Sequence, residues 1–482
     1  MSSHGGIRMQ EVELKLELAP DDADALAAAG LFAGDPQVIH QQATYYDTPD
    51  HALAKAGFSL RIRHDGTART QTIKAGGTTA GLFVRSEWEM PVSDDVPVLD
   101  DATPLPAMFG DVLAKIIPLF TVENQRQIWL QDGIEIALDR GRVLAGDREA
   151  TVCEVELEHK EGDPAALFAL ARRIAASVPV APGVLTKAER GYRLINAAPS
   201  PTKAQRVVLT PGISAGEAFT VIAQACLRQF GLNAPLVIDH QDGVALHQAR
   251  VALRRLRSAL TIFKPILGDR REPISRHLRW LAGELGKARD LDVLIGRTTD
   301  DTLRDRLITA RAEAYVVASA AILSQRTRSL MIDLVEWIAL GAWQGSTAED
   351  DLRHMPAREF AAGTLDRLRR KVKRGGRNLA DLADEPRHDL RKSAKKLRYA
   401  AEFFAGLYDR KKERRRRKRF ISALADLQDE LGALNDIAAA PQVLRSLGLE
   451  SEASPASAER KALLQAADEA FDGWIDTKRF WR

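Results

Sequence analysis

Apolar and charged residues alternate strictly over residues 11–18, with Val12, Leu14, Leu16 and Leu18 on one side and Glu11, Glu13, Lys15 and Glu17 on the other. A period of two belongs to a β-strand, whose successive side chains point to opposite faces. The alternation returns in Leu60-Arg61-Ile62-Arg63, in Arg85-Ser86-Glu87-Trp88-Glu89 and in Glu154-Val155-Glu156-Leu157-Glu158. A single face of this kind reads equally well as a solvated strand with weak surface pairs. Its recurrence predicts a barrel with a polar interior and a helix-covered apolar exterior. Helical periodicity is confined in this region to segments such as 21–29 and 164–176.

Both periodicities break over residues 196–213, where Pro and Gly cluster, and beyond this the period is helical almost throughout. Residues 341–356 read as a connection between sub-bundles and 449–457 as a polar loop. The helical half repeats itself. His247, Arg250, Arg254, Arg255 and Arg257 recur without a gap as His388, Arg391, Lys395, Lys396 and Arg398, and Glu284-Leu285-Gly286 recurs as Glu430-Leu431-Gly432. His247, Arg250, Arg254 and Arg257 share one helix face by their 3-4-3 spacing. Ala249, Leu253, Leu256, Leu260 and Phe263 form an apolar stripe beside it, reproduced by Leu390, Ala394, Leu397, Ala401 and Phe404. The prediction is multidomain, α+β then all-α: residues 1–200 an antiparallel β-barrel or tunnel with helices, 201–212 a linker, and 213–482 a duplicated helical bundle.

Composition sharpens the division. The chain of 482 residues is 45% hydrophobic and 28% charged, which suits globular domains, and its net charge of +3 hides two opposite halves. Residues 1–200 hold 19 Lys+Arg against 29 Asp+Glu, and the remainder 50 against 37. Two cysteines, Cys153 and Cys226, suggest neither a disulfide framework nor a zinc site. No signal core opens the chain and no apolar run nears the length of a membrane span, so a cytoplasmic setting with no transmembrane segment is expected.

The ExExK opening, Tyr45-Tyr46-Asp47-Thr48-Pro49, Leu60 to Arg63, Lys74, Arg85 to Glu89, Glu154 to Glu158, and Lys187 with Arg190-Gly191 together resemble a CYTH domain, the family also called triphosphate tunnel metalloenzymes. The resemblance covers residues 7 to 197. It implies a tunnel in which Lys15, Arg61, Arg63, Lys74, Arg85, Arg126, Lys187 and Arg190 bind phosphate. Carboxylates there would repel the substrate unless a divalent metal bridged them to it, which points to Mg²⁺ or Mn²⁺ held by Glu11, Glu13, Glu154 and Glu156, with Asp139. Glu11, Glu13, Lys15 and Lys187 are the candidate catalytic residues. Metal-activated water attacking a terminal phosphorus is the reaction the family implies.

The helical half resembles the CHAD domain over residues 213 to 475, a module associated with inorganic polyphosphate. On this reading His247, Arg250, Arg254, Arg255, Arg257, His388, Arg391, Lys395, Lys396 and Arg398 bind the polyanion, with granule association a corollary. Nucleic acid is the competing polyanion, disfavoured because the stripes carry no interleaved aromatic residues for stacking. A CYTH domain followed by a CHAD domain resembles the bacterial inorganic triphosphatases, so inorganic triphosphate is the expected substrate. ATP cyclisation, thiamine triphosphate hydrolysis and a non-enzymatic polyphosphate scaffold stay open.

Overall fold

The computed structural model describes residues 7–66, 68–76, 81–196, 200–344, 350–448 and 457–482. Two compact units are present: Met1–Pro201 together with Ile322–Leu340, and Thr202–Ala321 together with Gly341–Arg482. The first unit is built on strands β1 (Ile7–Glu17), β2 (Gln37–Asp47), β3 (Phe58–Asp65), β4 (Ala68–Ala75), β5 (Leu82–Pro91), β6 (Ile117–Gln131), β7 (Ile134–Ala145), β8 (Arg148–His159) and the short β9 (Ala181–Pro182). Their order is β5-β4-β3-β2-β6-β7-β8-β1-β9, all antiparallel, and β1 also pairs with β5. β1 meets β5 from Ile7 to Leu14 and β8 from Glu13 to Glu17, so these two partners flank it together only at Glu13 and Leu14. The sheet therefore rolls toward a barrel through β1, which pairs β5 over eight residues and β8 over five, but the two pairings overlap at only two residues and do not close a uniform cylinder.

Alternation decides what each strand face meets. Leu14, Leu16, Val155 and Leu157 are fully buried, and the helix Ala165–Ser177 packs over β1 and β8. Each such side chain contributes roughly 1.5–3 kcal/mol on leaving water, which locks the register and turns the charged faces to the other side. The helix Lys187–Asn196 packs across β6, β7 and β8, where Tyr192 meets the cluster of Tyr45, Phe120, Val122 and Val143. The helices expected over 21–29 and 164–176 are Pro20–Ala28 and Ala165–Ser177.

The second unit is helical and its duplication is visible element by element. Ala215–His240, Gly243–Ile262, Glu272–Arg297 and Asp301–Leu323 are matched by Ala357–Gly375, Asp384–Phe403, Lys411–Ser446 and Ser457–Ile475. Ser214 and Glu217 form a reciprocal capping box at the start of the first helix, and Asp242 caps the second through Val244 N–H and Ala245 N–H. Both apolar stripes are buried. Phe263 of the first copy, packed on Phe219, meets Phe360 and Phe404 of the second, stacking on Phe360 at 4.9 Å between centroids. These four are two pairs at the repeat offset, so duplicated residues form the joint between copies. Ala215–His240 is long and apolar enough to cross a membrane, which short apolar runs did not anticipate. Its most apolar window is 67% buried inside the unit, as in a core helix. The expected connection at 341–356 holds the short helical turns Ala342–Gln344 and Asp350–His354, and the expected polar loop at 449–457 lies almost wholly outside the described residues.

Candidate functional site

The charged strand faces line one cavity of about 340 Å³ inside the sheet. Lys15, Arg61, Arg63, Lys74, Arg126, Lys160 and Lys187 border it, and so do Glu13, Asp65, Glu87, Glu89, Glu135, Glu156 and Glu158. Among the described residues the lining is thus balanced, seven cations against seven carboxylates. Asp139 and Glu154 lie fully buried just behind it. The side chains of Glu11 and Arg85 lie outside the described residues.

One network joins the sequence-predicted residues. Lys15 Nζ is 2.8 Å from Glu154 Oε1, 2.5 Å from Glu156 Oε1 and 3.5 Å from Glu13 Oε1. Lys187, the first residue of its helix, donates to Asp139 Oδ2 at 2.6 Å, Glu154 Oε1 at 2.5 Å and Glu156 Oε1 at 2.8 Å. Arg126 holds Asp139 with two parallel hydrogen bonds, at 2.7 and 2.6 Å, and also reaches Glu156. Burial by itself would discharge all of these groups. For Lys187 that effect is outweighed by Asp139, Glu154 and Glu156, which hold the ammonium well above its usual range. For Glu156 it is outweighed by Lys15, Lys187 and Arg126, which hold the carboxyl well below its usual range.

Elsewhere in the cavity Lys74 pairs with Glu87 at 3.2 Å, Arg63 with Asp65 at 3.3 Å, and Thr72 donates to Glu89 at 3.0 Å. Arg61 has Tyr45 Oη at 3.5 Å. Arg190 does not line the cavity; it pairs with Glu17 at 2.8 Å and stands 3.9 Å from Glu154 Oε2. Asp139, Glu154 and Glu156 each bring a carboxylate oxygen within 4.8 Å of the others, and Glu154 Oε2 is buried without a hydrogen-bond partner. An all-oxygen set of this kind suits a hard divalent cation such as Mg²⁺ or Mn²⁺, which would have to displace the Lys187 ammonium now bonded to all three.

Several positions that sequence reasoning left without a role acquire one. Asp47 is fully buried and accepts from the backbone N–H groups of Thr48, Leu53 and Ala54 and from Tyr192 Oη, so it ties the turn after β2 to the helix Lys187–Asn196. Tyr46 donates to the Asp95 carbonyl at 2.6 Å. Gly191 is glycine because a methyl there would lie 2.1 Å from the Phe120 ring. An acid after two tyrosines, and a glycine at a helix centre, were the signals available.

In the helical unit the two cationic stripes face one another. Burial pushes the His247 imidazole down to about 4, aided by Arg289, Arg254, Arg250 and, from the other copy, Lys395. Burial likewise pushes Lys395 down to about 6, aided by Arg254 across the joint and by Arg391 and Arg398. Among the described residues, Arg254, Arg257, Lys395 and Lys396 have no carboxylate within ion-pair distance. Arg250 donates to the Ala282 carbonyl at 3.0 Å, and His388 meets Asn435 Oδ1 at 2.5 Å. Arg255 is placed apart from the stripe: it is buried, bonded to Glu402 at 2.5 Å and stacked over Phe403 at 4.8 Å. Arg398 also pairs with Glu402, at 3.5 Å. Of the repeated glycines, Gly286 makes room for its arginine and Gly432 is in ordinary contact with its own. A methyl on Gly286 would lie 2.8 Å from Arg250 Nη1, and one on Gly432 3.8 Å from Arg391 Nη2.

The CYTH family model matches residues 9–192 and the CHAD family model residues 221–445. An inorganic triphosphatase of Haemophilus influenzae is 32% identical over 202 residues, 39% of this chain and 56% of that protein, so the chain spans about half the length of that relative. An uncharacterized protein of Mycobacterium tuberculosis is 27% identical over 412 residues, 74% of this chain and 75% of its own. The crystal structure of the CHAD domain from Ricinus communis is 31% identical, covers 57% of this chain and 92% of its own, and gives a TM-score of 0.46. The chain is a CYTH domain followed by a CHAD domain.

Proposed function

We propose that the first unit hydrolyses inorganic triphosphate with Mg²⁺ or Mn²⁺ and that the helical unit binds long-chain polyphosphate. The balanced lining of the cavity supports the first part most directly. Among the described residues seven cations are already offset by seven carboxylates and leave no surplus to neutralise a chain of phosphates, so such a ligand has to bring divalent cations with it. A scaffold that only bound polyanions would gain from losing those carboxylates. The similarity to the Haemophilus inorganic triphosphatase supports the choice of substrate.

Asp139, Glu154 and Glu156, with Glu13 on the cavity wall, are the residues that would hold the metal. The metal, when bound, supplies a hydroxide nucleophile near neutral pH and offsets charge on the transferring phosphoryl group. Arg61, Arg63 and Lys74 orient the phosphates, the two guanidinium groups through paired hydrogen bonds, while Arg126, whose fork is committed to Asp139 and Glu156, braces the carboxylate cluster. Against burial, Lys187 holds Asp139 and Glu156 below the usual carboxylate range, and Lys15 does the same for Glu156.

A phosphate-release panel with tripolyphosphate, ATP, thiamine triphosphate and long-chain polyphosphate, run with Mg²⁺ or Mn²⁺ and alongside a cyclic AMP assay, tests the reading. Tripolyphosphate is expected to turn over fastest, and a folded Glu11→Ala, Glu13→Ala variant to lose turnover. Wild type that releases no phosphate with either metal while still binding long polyphosphate would replace the enzyme with a scaffold.

A further inference from the structure

The helix Gln325–Leu340 lies inside the stretch matched by the CHAD family, yet it packs within the first unit, against the helix Ala165–Ser177 and β9. Its Arg172 partner donates to Asp333 at 3.0 and 2.9 Å and also reaches Glu336. Val335, on the buried side of the helix, lies directly against Gly81. A methyl on Gly81 would fall 3.0 Å from Val335 Cγ2 and 3.1 Å from Pro182 Cβ. The backbone at this glycine has φ +79°, a conformation that disfavours any side chain.

Gly81 is one bond from the site. Its carbonyl accepts from Lys15 N–H at 2.9 Å, its N–H donates to the Gly183 carbonyl at 2.9 Å, and Gly183 N–H returns to the Lys15 carbonyl at 2.8 Å. Gly183 in turn leaves space for the Lys15 stem, since a methyl there would lie 2.6 Å from Lys15 Cγ. Three backbone segments and one side chain therefore form a closed cradle around Lys15, and Val335 is its outer stop. From the packed glycines and the hydrogen-bonded ring we infer that Val335 is a positioning residue for Lys15, so that a helix outside the CYTH-matched stretch sets the geometry of the carboxylate and lysine network. The kinetic part of its test rests on the triphosphatase reading above; the labelling part does not.

Val335→Phe pushes on Gly81 and through it re-aims Lys15. In the metal-free full-length protein, Lys15 is buried within three carboxylates, and a small amine-reactive reagent followed by mass spectrometry reads its access. V335F is expected to label several-fold faster at Lys15 than wild type, with exposed Lys55 unchanged. Gly183→Ala, which crowds Lys15 directly, is expected to give the same signature, and Val335→Ala, which removes the outer stop, to label Lys15 faster than wild type but less so than V335F. With tripolyphosphate as substrate, V335F is expected to raise KM about tenfold while its thermal midpoint stays within a few degrees. A folded V335F with wild-type Lys15 labelling overturns the inference, as does KM loss that merely follows the thermal midpoint. If V335F is recovered only as aggregate, Val335→Leu is read by the same criteria. Wild type inactive on tripolyphosphate removes the substrate reading alone, and the labelling result still decides the role of Val335.

Discussion

Lys395 is a cation among cations, and its position predicts how binding depends on pH. Burial and the neighbouring Arg254, Arg391 and Arg398 hold it at about 6, so it is largely neutral at pH 7.5 while the cleft is empty. A polyanion reverses those effects and raises the pKa, so binding near pH 7.5 is expected to take up protons and to strengthen as pH falls toward 6. Calorimetry in buffers of different ionisation enthalpy measures the uptake, and Lys395→Met is expected to reduce it. The tunnel shows the opposite arrangement, in which Glu154 satisfies two buried lysines at once. Glu154→Ala leaves the buried Lys15 and Lys187 short of a counter-charge, and a loss of roughly 3–5 kcal/mol is expected in denaturant unfolding. Much of this was legible in the residues: Glu13, Lys15, Glu154 and Glu156 were placed by alternation and resemblance. Arg190 and Arg255 were not, because a charged residue next to a functional one looks the same in sequence whether it faces the cavity or braces the wall behind it.

At the level of the element, period carries the fold and register carries the site. The duplicated helix pair was readable since gap-free repetition preserves helical phase, and the apolar stripes it marked are the buried faces. What they bury against was not readable. The apolar face of Gln325–Leu340 has the periodicity of any bundle helix, but it covers a sheet edge in the first unit. Likewise the Glu-Leu-Gly repeat gave no reason for its glycine until Arg250 was seen lying across Gly286. Gly286→Ala meets only the far end of a flexible arginine and gains helix propensity, so unfolding stability is expected to hold or to rise by up to about 1 kcal/mol. Long-chain polyphosphate affinity is expected to fall severalfold because Arg250 is displaced, with tripolyphosphate turnover unchanged. Equilibrium binding and phosphate release on the same preparation check both halves.

Across the whole molecule, residues 1–200 are acidic and the remainder is basic. Binding of a polyanion by the helical unit is expected to weaken steeply with salt, as counterion release requires. Replacing His247, Arg254, His388 and Lys395 together is expected to lower both the affinity and the salt slope while sparing hydrolysis in the first unit; equal binding across a salt titration would remove these four from the binding surface. The path of the chain has its own consequence. The first unit is interrupted: it is laid down to Pro201 and completed only by Ile322–Leu340. On a ribosome making roughly 5–20 residues per second, the barrel waits on the order of ten seconds for its last helix. During that interval the surface around Gly81 and β9 is uncovered, and whatever shields it, a chaperone or the barrel's own reluctance to close, governs how much of the nascent chain reaches the finished fold.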